Sequence, residues 1–199
     1  MNLFTALQSA WPVTRQDAAI LTERGTWTWD DLDHATAMVA NLLDSLHLPE
    51  RNGHPPIVAA HVDKSVESLV LYLATLRSGA VFLPLNPAYR SAELSYFLED
   101  ARPAVLVCRP DDQEWVIPLA AHAQVGHLFT LGTQGNGSLL THASLHSDQH
   151  EPAAGGQQGG GMGHGGAVLG RGGEQQLVVV TPRQGALLQY FCIKLASSA

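Results

Sequence analysis

The chain has 199 residues, of which 45% are hydrophobic and 15% are charged, and its formal net charge is −7. This length allows one domain, or one domain with a tail, and the hydrophobic content excludes a fully disordered protein. The acidic balance argues against a general binder of nucleic acid, and no apolar run approaches the roughly 18 residues that a membrane span needs. We therefore expect neither a nucleic-acid partner nor a membrane span.

The first predicted element is a β-hairpin. Ala18–Leu21 is a short apolar run, Glu23–Gly25 is a turn signal, and Thr26–Trp29 alternates with β-forming residues. Trp27 and Trp29 are two residues apart, so we expect them on one face of the second strand, in core or edge packing rather than stacked on a ligand.

Helices and strands then alternate along the chain. Apolar residues recur at helical spacing from Leu32 to Leu46, which predicts an amphipathic helix that ends at Leu48-Pro49. Beyond it we predict strands over residues 57–62, 80–83, 104–108 and 127–131, and helices over residues 66–77, 92–100 and 115–122. Ser65 and Ser91 are the expected helix N-caps. This alternation indicates right-handed βαβ units and a parallel sheet, and therefore an α/β fold.

The cysteines and the N-terminus indicate a reducing compartment. Cys108 and Cys192 are too few for a disulfide framework, and no CxxC pair suggests zinc. The N-terminus lacks the basic start and apolar run of a signal peptide, so we expect a cytoplasmic protein. Cys108 ends a predicted buried strand, which favours a small core residue over a nucleophile.

The composition changes near residue 150. Residues 1–151 hold 8 Lys and Arg against 17 Asp and Glu, whereas residues 152–199 hold 3 against 1. Eleven of the 19 glycines lie between Gly155 and Gly173. We therefore predict an ordered α/β portion over residues 1–150 and a Gly-rich, irregular tail over residues 151–199, disordered or read out of frame.

The tail offers weak functional patterns. Gly161, Gly163 and Gly166 match the spacing of a dinucleotide-binding fingerprint, but the strand before it and the helix after it are missing, which favours a linker. Leu177–Val180 has the pattern of a strand and Ala186–Leu195 that of a short apolar helix, and both are aggregation hazards without a core to join.

Histidines recur just before and within the tail. His142, His146 and His150 are four residues apart, and His164 follows. On a helix the first three would share one face, where they could bind a metal ion. The polar residues between them favour a solvated loop instead, and such a cluster specifies no particular metal.

One segment carries a family resemblance. Leu76–Asn86, with the sequence LRSGAVFLPLN, resembles the L-K-A-G-x-A-Y-V-P-L-D motif of AMP-forming adenylating enzymes, the superfamily of acyl-CoA synthetases, luciferases and peptide-synthetase adenylation domains. TWTWDDL is similar to that family's T-Y-x-E-L segment, and residues 87–108 match it in type and order. The resemblance covers Asn2 to about Thr141, and residues 61–101 look closest to the malonyl-CoA synthetases.

The resemblance implies the N-terminal portion of an adenylating-enzyme large domain, with a partly parallel sheet and flanking helices. It implies a parent activity in which a carboxylic acid, malonate foremost, reacts with ATP to an acyl-adenylate and pyrophosphate and then with CoA to a thioester, with Mg as the metal. The matching residues belong to the family's scaffold. Arg77–Gly79 is expected to end a helix and lead into a strand without a side chain in the way.

The chemistry of that family needs residues that do not occur here. Backbone N–H groups and a cation must hold the triphosphate, and the family's T-S-G-T-T-G-x-P-K-G loop is expected soon after residue 150. The chain has no such loop and no lysine between Lys64 and Lys194. We therefore assign no catalytic, cofactor-binding or metal-binding residue, and we expect the chain alone to be inactive and to bind ATP, Mg and CoA poorly.

Three explanations of the change near residue 150 stay open: a shifted reading frame, a gene-model error and a truncated gene. Two non-catalytic functions also stay open. The chain would be a binding or regulatory fragment that pairs with a missing C-terminal portion, since a partial domain exposes apolar surface. Alternatively, it would be a Gly- and His-rich metal-binding tail on an inert α/β body.

Overall fold

The computed structural model describes residues 2–154. The tail patterns at residues 161–166 and 177–195, together with His164, lie outside the described residues. In chain order the elements are α1 (Leu3–Gln8), β1 (Ala18–Thr22), β2 (Gly25–Thr28), α2 (Trp29–Ser45), β3 (Ile57–His61), α3 (Val66–Arg77), β4 (Val81–Pro84), α4 (Ser91–Ala101), β5 (Val105–Cys108), α5 (Gln113–His122), β6 (His127–Thr130) and α6 (Ser138–Ala143). None of these helices is long and apolar enough to cross a membrane.

Four strands form the predicted parallel sheet. Their order is β4-β3-β5-β6, and Ala59 of β3 lies in register between Leu83 and Leu106. The chain moves from β3 outward to β4, then crosses back over β3 to β5 and continues to β6, so the strand order reverses between β3 and β5. Strands β1 and β2 pair separately as the predicted antiparallel hairpin. The α/β fold class is confirmed.

Both faces of the sheet are covered, as is usual for parallel strands. Val58 and Ala60 point toward α2 and α3, whereas Ala59, Leu106 and Cys108 point toward α4 and α5. Each of these five residues is at most 3% exposed. Successive strand residues alternate between the two cores, so the sheet is a rigid support on which loops at its edges are positioned.

Local capping explains which helix starts were predicted and which were not. Helix α3 begins as expected. The Ser65 hydroxyl accepts from the Ser68 N–H at 3.1 Å, and the Ser68 hydroxyl accepts from the Ser65 N–H at 2.9 Å. Helix α4 begins at Ser91, and its N-cap is Arg90, whose N–H donates to Glu93 Oε2 at 2.8 Å. The prediction that Ser91 is the cap was wrong by one residue.

The expected strand position of Trp29 was also wrong. Thr28 caps α2, since its hydroxyl accepts from the Asp31 N–H at 3.1 Å while Asp31 Oδ2 accepts from the Thr28 N–H at 2.9 Å. Trp29 is therefore the first residue of α2, and Trp27 alone stays in the strand. Trp29 packs on Trp11, with ring centroids 5.1 Å apart, which is the packing role expected for it.

Candidate functional site

Polar side chains gather at the carboxyl ends of the neighbouring strands β3 and β5. In an open parallel sheet, ligands bind where the strand order reverses, beyond the carboxyl ends of the strands. His61 is the last residue of β3 and Cys108 the last of β5, and the two are register partners. The loops that follow supply Asp63, Arg109 and Asp112. We call these five residues the switch-point cluster.

His61 is the centre of the cluster and is completely buried. Its Nδ1 lies 3.6 Å from Asp112 Oδ2, and the ring meets Trp115 edge-on at 5.9 Å. Neither ring nitrogen makes a hydrogen bond of regular geometry among the described residues, although the backbone of Tyr89 and Asn86 lies close enough to favour the protonated ring. Burial lowers the pKa of His61, and Asp112 opposes this effect without reversing it. The imidazole is therefore neutral at physiological pH.

Asp112 organises the segment after β5, and Arg109 connects that segment to the loop after β3. Its Oδ2 accepts from Arg109 Nε at 2.6 Å and its Oδ1 from Trp115 Nε1 at 3.0 Å. Arg109 Nη1 also lies 3.5 Å from Asp63 Oδ1. Burial raises the pKa of Asp112, but the hydrogen bonds from Arg109 and Trp115 outweigh it, so that the pKa is lowered overall. The carboxylate is ionised and fully engaged.

Cys108 completes the cluster without becoming reactive. Its side chain is fully buried, and burial raises the pKa of the thiol to about 12. The thiolate is the nucleophilic form of cysteine, and it is not populated at neutral pH with this pKa. The predicted role of Cys108 as a core residue is confirmed, and the neighbouring His61 and Cys108 do not form a nucleophile–base pair.

The histidine cluster proposed from spacing does not assemble. Helix α6 ends at Ala143, so His142, His146 and His150 do not share a helical face. His142 Nδ1 lies 2.7 Å from the Ser138 carbonyl oxygen, and His150 Nε2 lies 2.8 Å from Asp44 Oδ2. Within residues 2–154 no three His, Cys, Asp or Glu side chains are arranged to bind a metal ion. The shared helical face on which the metal hypothesis depended does not form in the described part of the chain.

A second polar site lies near the opposite, amino end of the sheet, at the end of α3. Arg77 is only 5% exposed. Its Nη1 donates to Asp33 Oδ1 at 2.7 Å and to Thr36 Oγ1 at 3.2 Å, while Nε and Nη2 both donate to the His150 carbonyl oxygen, Nε at 3.1 Å. The guanidinium also lies over the Phe4 ring at 4.9 Å. All three guanidinium nitrogens are thus paired.

These contacts fix residues 147–153, which we call the strap. Asn41 Nδ2 donates to the carbonyl oxygens of Ser147 and Gln149 at 2.8 and 2.9 Å. The Ala153 N–H donates to the Arg77 carbonyl at 2.9 Å. The sequence analysis assigned Arg77 only to the end of a helix and missed this role. An arginine within a largely apolar helix was the available signal, because buried guanidinium groups require several acceptors.

A match to a known protein family shows to which family the chain belongs. Residues 7–190 match the AMP-binding enzyme family. The chain belongs to this family. The match extends beyond the composition change at residue 150 and beyond the segment ending near Thr141 on which the resemblance was first recognised. The described residues are the N-terminal part of an adenylating-enzyme large domain, in agreement with the sequence analysis.

Solved structures and curated proteins support the same family. ATP-bound MatB from Rhodopseudomonas palustris superimposes with a TM-score of 0.70 at 38% identity, covering 76% of this chain and 29% of MatB. A probable CoA ligase from Humulus lupulus is 29% identical over 104 residues, which is 52% of this chain and 20% of that protein. A benzoate CoA ligase from Burkholderia xenovorans, at 17% identity and a TM-score of 0.63, shares the fold. The chain thus spans under a third of the length of these relatives.

The described residues do not fit a site for ATP and magnesium. The single lysine among them is Lys64, and the family's phosphate-binding loop does not occur in the sequence. His61 and Arg77 are both buried, and their side chains contact other protein groups and not an open cavity. We therefore derive no catalytic step from residues 2–154.

Proposed function

We propose that residues 1–150 are the scaffold of an AMP-forming carboxylate–CoA ligase domain whose acid is malonate. The parent reaction converts the carboxylate, ATP and CoA to acyl-CoA, AMP and pyrophosphate. Two observations support the proposal: residues 61–101 resemble malonyl-CoA synthetases, and the chain is 38% identical to MatB but only 17–20% identical to ligases for anthranilate, benzoate and long-chain fatty acids.

In this proposal the chain supplies structure and not chemistry. The switch-point cluster lies at the carboxyl end of the sheet and the strap ends near its amino end, and neither contains an accessible nucleophile or a phosphate-binding loop. ATP, Mg and CoA would bind only to a protein that also carries the remaining family segments. A reducing cytoplasm is part of the proposal, since the free buried thiol of Cys108 suits it.

The first test compares the chain with a hybrid. The hybrid joins residues 1–154 to the part of Rhodopseudomonas palustris MatB that follows the equivalent point. We expect no malonate-dependent exchange of pyrophosphate into ATP from the 199-residue chain, and clear exchange from the hybrid. Exchange by the chain alone would refute the scaffold role. A hybrid that folds, as judged by circular dichroism, but is inactive would refute the equivalence of the two scaffolds.

Malonate as the substrate can be tested only on a protein that also carries the remaining family segments. The coding DNA from codon 140 onward should be sequenced and translated in the three forward frames. If another frame resumes with a Ser/Thr/Gly-rich loop ending in Lys-Gly, the repaired protein is assayed with malonate, benzoate, anthranilate and a long-chain acid. We expect malonate to give the highest kcat/KM, and preference for another acid would contradict the assignment.

A second candidate is a fragment that pairs with a complementary portion. Within the described sheet β4 and β6 are the edge strands, and unpaired strand edges are ready sites for added chains. Size-exclusion chromatography with the separately expressed remainder of MatB tests this function. A stable 1:1 complex favours it, whereas aggregates or two separate peaks contradict it.

A further inference from the structure

We propose that Arg77 and Gly79 are positioning residues: they hold the strap and thereby fix the position and direction of the chain at Ala154, after which the next segment begins. The inference deepens the proposed function, on which it rests, because that segment stands where the family places its phosphate-binding loop. It also gives the Leu76–Asn86 motif a role beyond ending a helix.

The strap is held by several hydrogen bonds that come from different directions. The strap is bound from three separate elements: by Asn41 on α2, by Arg77 on α3 and by Asn2 before α1. Asn2 Nδ2 donates to the Ala153 carbonyl oxygen at 3.1 Å. Ala153 thus uses its N–H on Arg77 and its carbonyl on Asn2. A residue bonded through both backbone groups to different elements has a fixed position and a fixed direction.

Gly79 has a backbone conformation and a close neighbour that both require glycine. Its φ is +79°, in the left-handed region that glycine adopts without steric cost. A Cβ at this position would lie 3.1 Å from the Ala153 side chain. Any larger residue would therefore be strained in its backbone and would press against Ala153. The motif glycine leaves room for the strap as well as ending α3.

The contacts to the strap lie beside the start of the edge strand β4. Val81, two residues after Gly79, begins the edge strand β4, and its N–H donates to the Pro56 carbonyl at 2.8 Å. The strap therefore ends beside the amino end of the sheet. Because Arg77 is almost fully buried and pairs with Asp33 as well as with His150, the contact is anchored in the core of the domain. A surface contact would fray and would set no fixed starting point.

The experiment measures position directly, on the full 199-residue chain. Spin labels are attached at Ala154→Cys and Asp100→Cys in a Cys192→Ser background, and the distance distribution is recorded by double electron–electron resonance. Cys108 stays unlabelled because it is buried with a pKa of about 12. The test variants are Arg77→Met and Arg77→Lys. Arg109→Met is the matched control, since Arg109 also pairs with aspartates but lies at the opposite, carboxyl end of the sheet.

We expect a narrow distribution in the parent and in Arg109→Met. Arg77→Met should broaden it by about twofold while the far-ultraviolet spectrum stays unchanged. Arg77→Lys should give an intermediate width, because a single ammonium group does not reproduce the guanidinium contacts to both Asp33 and His150.

Two results would overturn the inference: a broad distribution in the parent, or an unchanged narrow one in Arg77→Lys and Arg77→Met. If Arg77→Met does not fold, Arg77→Lys alone decides between these outcomes. Because no catalytic rate is measured, a failure of this inference is distinguishable from a failure of the proposed reaction.

Discussion

Arg77 and His61 are both buried titratable side chains, but the structure treats them in opposite ways. Arg77 is 5% exposed and all three of its nitrogens are paired, whereas His61 is 0% exposed and neither of its nitrogens is. A permanent charge is tolerated in a core only when its donors are satisfied. An imidazole can instead lose its proton, and burial lowers the pKa of His61 accordingly.

The difference separates two kinds of site. Around Arg77 the partners come from α2, the strap and the N-terminal segment, so the charge connects distant parts of the chain. Around His61 the working contacts run between Asp112, Arg109 and Trp115, and the imidazole contributes shape more than bonding. The Arg77 site should therefore be sensitive to any loss of donors, whereas the His61 position should accept an apolar replacement.

The largest expected effect follows from removing the Arg77 guanidinium. Arg77→Met leaves the His150 carbonyl without its donor and the Asp33 carboxylate with the Gln8 amide but no cation, and we expect the free energy of unfolding to fall by about 3 kcal/mol. Urea denaturation at neutral pH measures it. Arg51→Met, in an exposed loop, is the control and should change stability by less than about 0.5 kcal/mol. Equal effects of the two substitutions would show that the Arg77 contacts do not stabilise the fold.

A smaller loss is expected at the other site. Asp112→Asn removes the charge that Arg109 and Trp115 bond, and it should lower the free energy of unfolding by about 2 kcal/mol. The neighbouring Asp111 is exposed, so Asp111→Asn is a matched control that should leave stability nearly unchanged. If Asp112→Asn behaves like its control, the bonds from Arg109 and Trp115 to Asp112 do not stabilise the fold.

The unpaired state of His61 predicts the opposite sign. His61→Leu removes two buried nitrogens without partners and should raise the free energy of unfolding by about 1 kcal/mol near pH 7.5. Chemical denaturation of both proteins at that pH measures the difference. A marked loss of stability in the variant would mean that the imidazole is bonded in solution, for example through a water molecule.

The same residue predicts a pH dependence. The pKa of His61 in the folded chain lies below its ordinary value of 6.5, so the unfolded state takes up the proton first. This contribution to stability is therefore present above that pH and is lost as the pH falls through it. Denaturation curves between about pH 5.5 and 7.5 should show a smaller decline in His61→Leu than in the parent. Parallel declines would contradict the assignment.

The smallest effect is the absence of a reaction. In a Cys192→Ser background, iodoacetamide at about pH 8 should leave folded Cys108 unmodified, because burial raises its pKa to about 12. The same reagent in urea should label it fully. Mass spectrometry distinguishes the two cases, and rapid labelling without urea would show that the end of β5 opens to solvent.

Local signals account for most of the fold that the sequence predicted. The Ser65 cap and the Ser78-Gly79 end signal define α3 to the residue, and the apolar runs locate all four strands of the sheet. Where two local signals compete, prediction failed: Trp29 suits a strand, but the cap formed by Thr28 and Asp31 places it in a helix. The short helices α1 and α6 carried too few periodic residues to be found.

The two polar sites depend on contacts that no local pattern reveals. Arg77 bonds the carbonyl of His150, 73 residues away, and Asn2 bonds that of Ala153, 151 residues away. These acceptors are backbone atoms, which carry no residue-type signal. The apolar runs placed Cys108 at the end of one strand and His61 one residue before the end of another, but they did not indicate that these strands pair or that Asp112 would lie between Arg109 and the imidazole.

Hydrogen exchange at the Ala153 amide tests most directly whether the motif holds the strap in solution. The amide donates to the Arg77 carbonyl beside Gly79, so the account predicts that it exchanges as slowly as the amides in the last turn of α3. Exchange at the rate of an unprotected backbone amide, with α3 still protected, would contradict it.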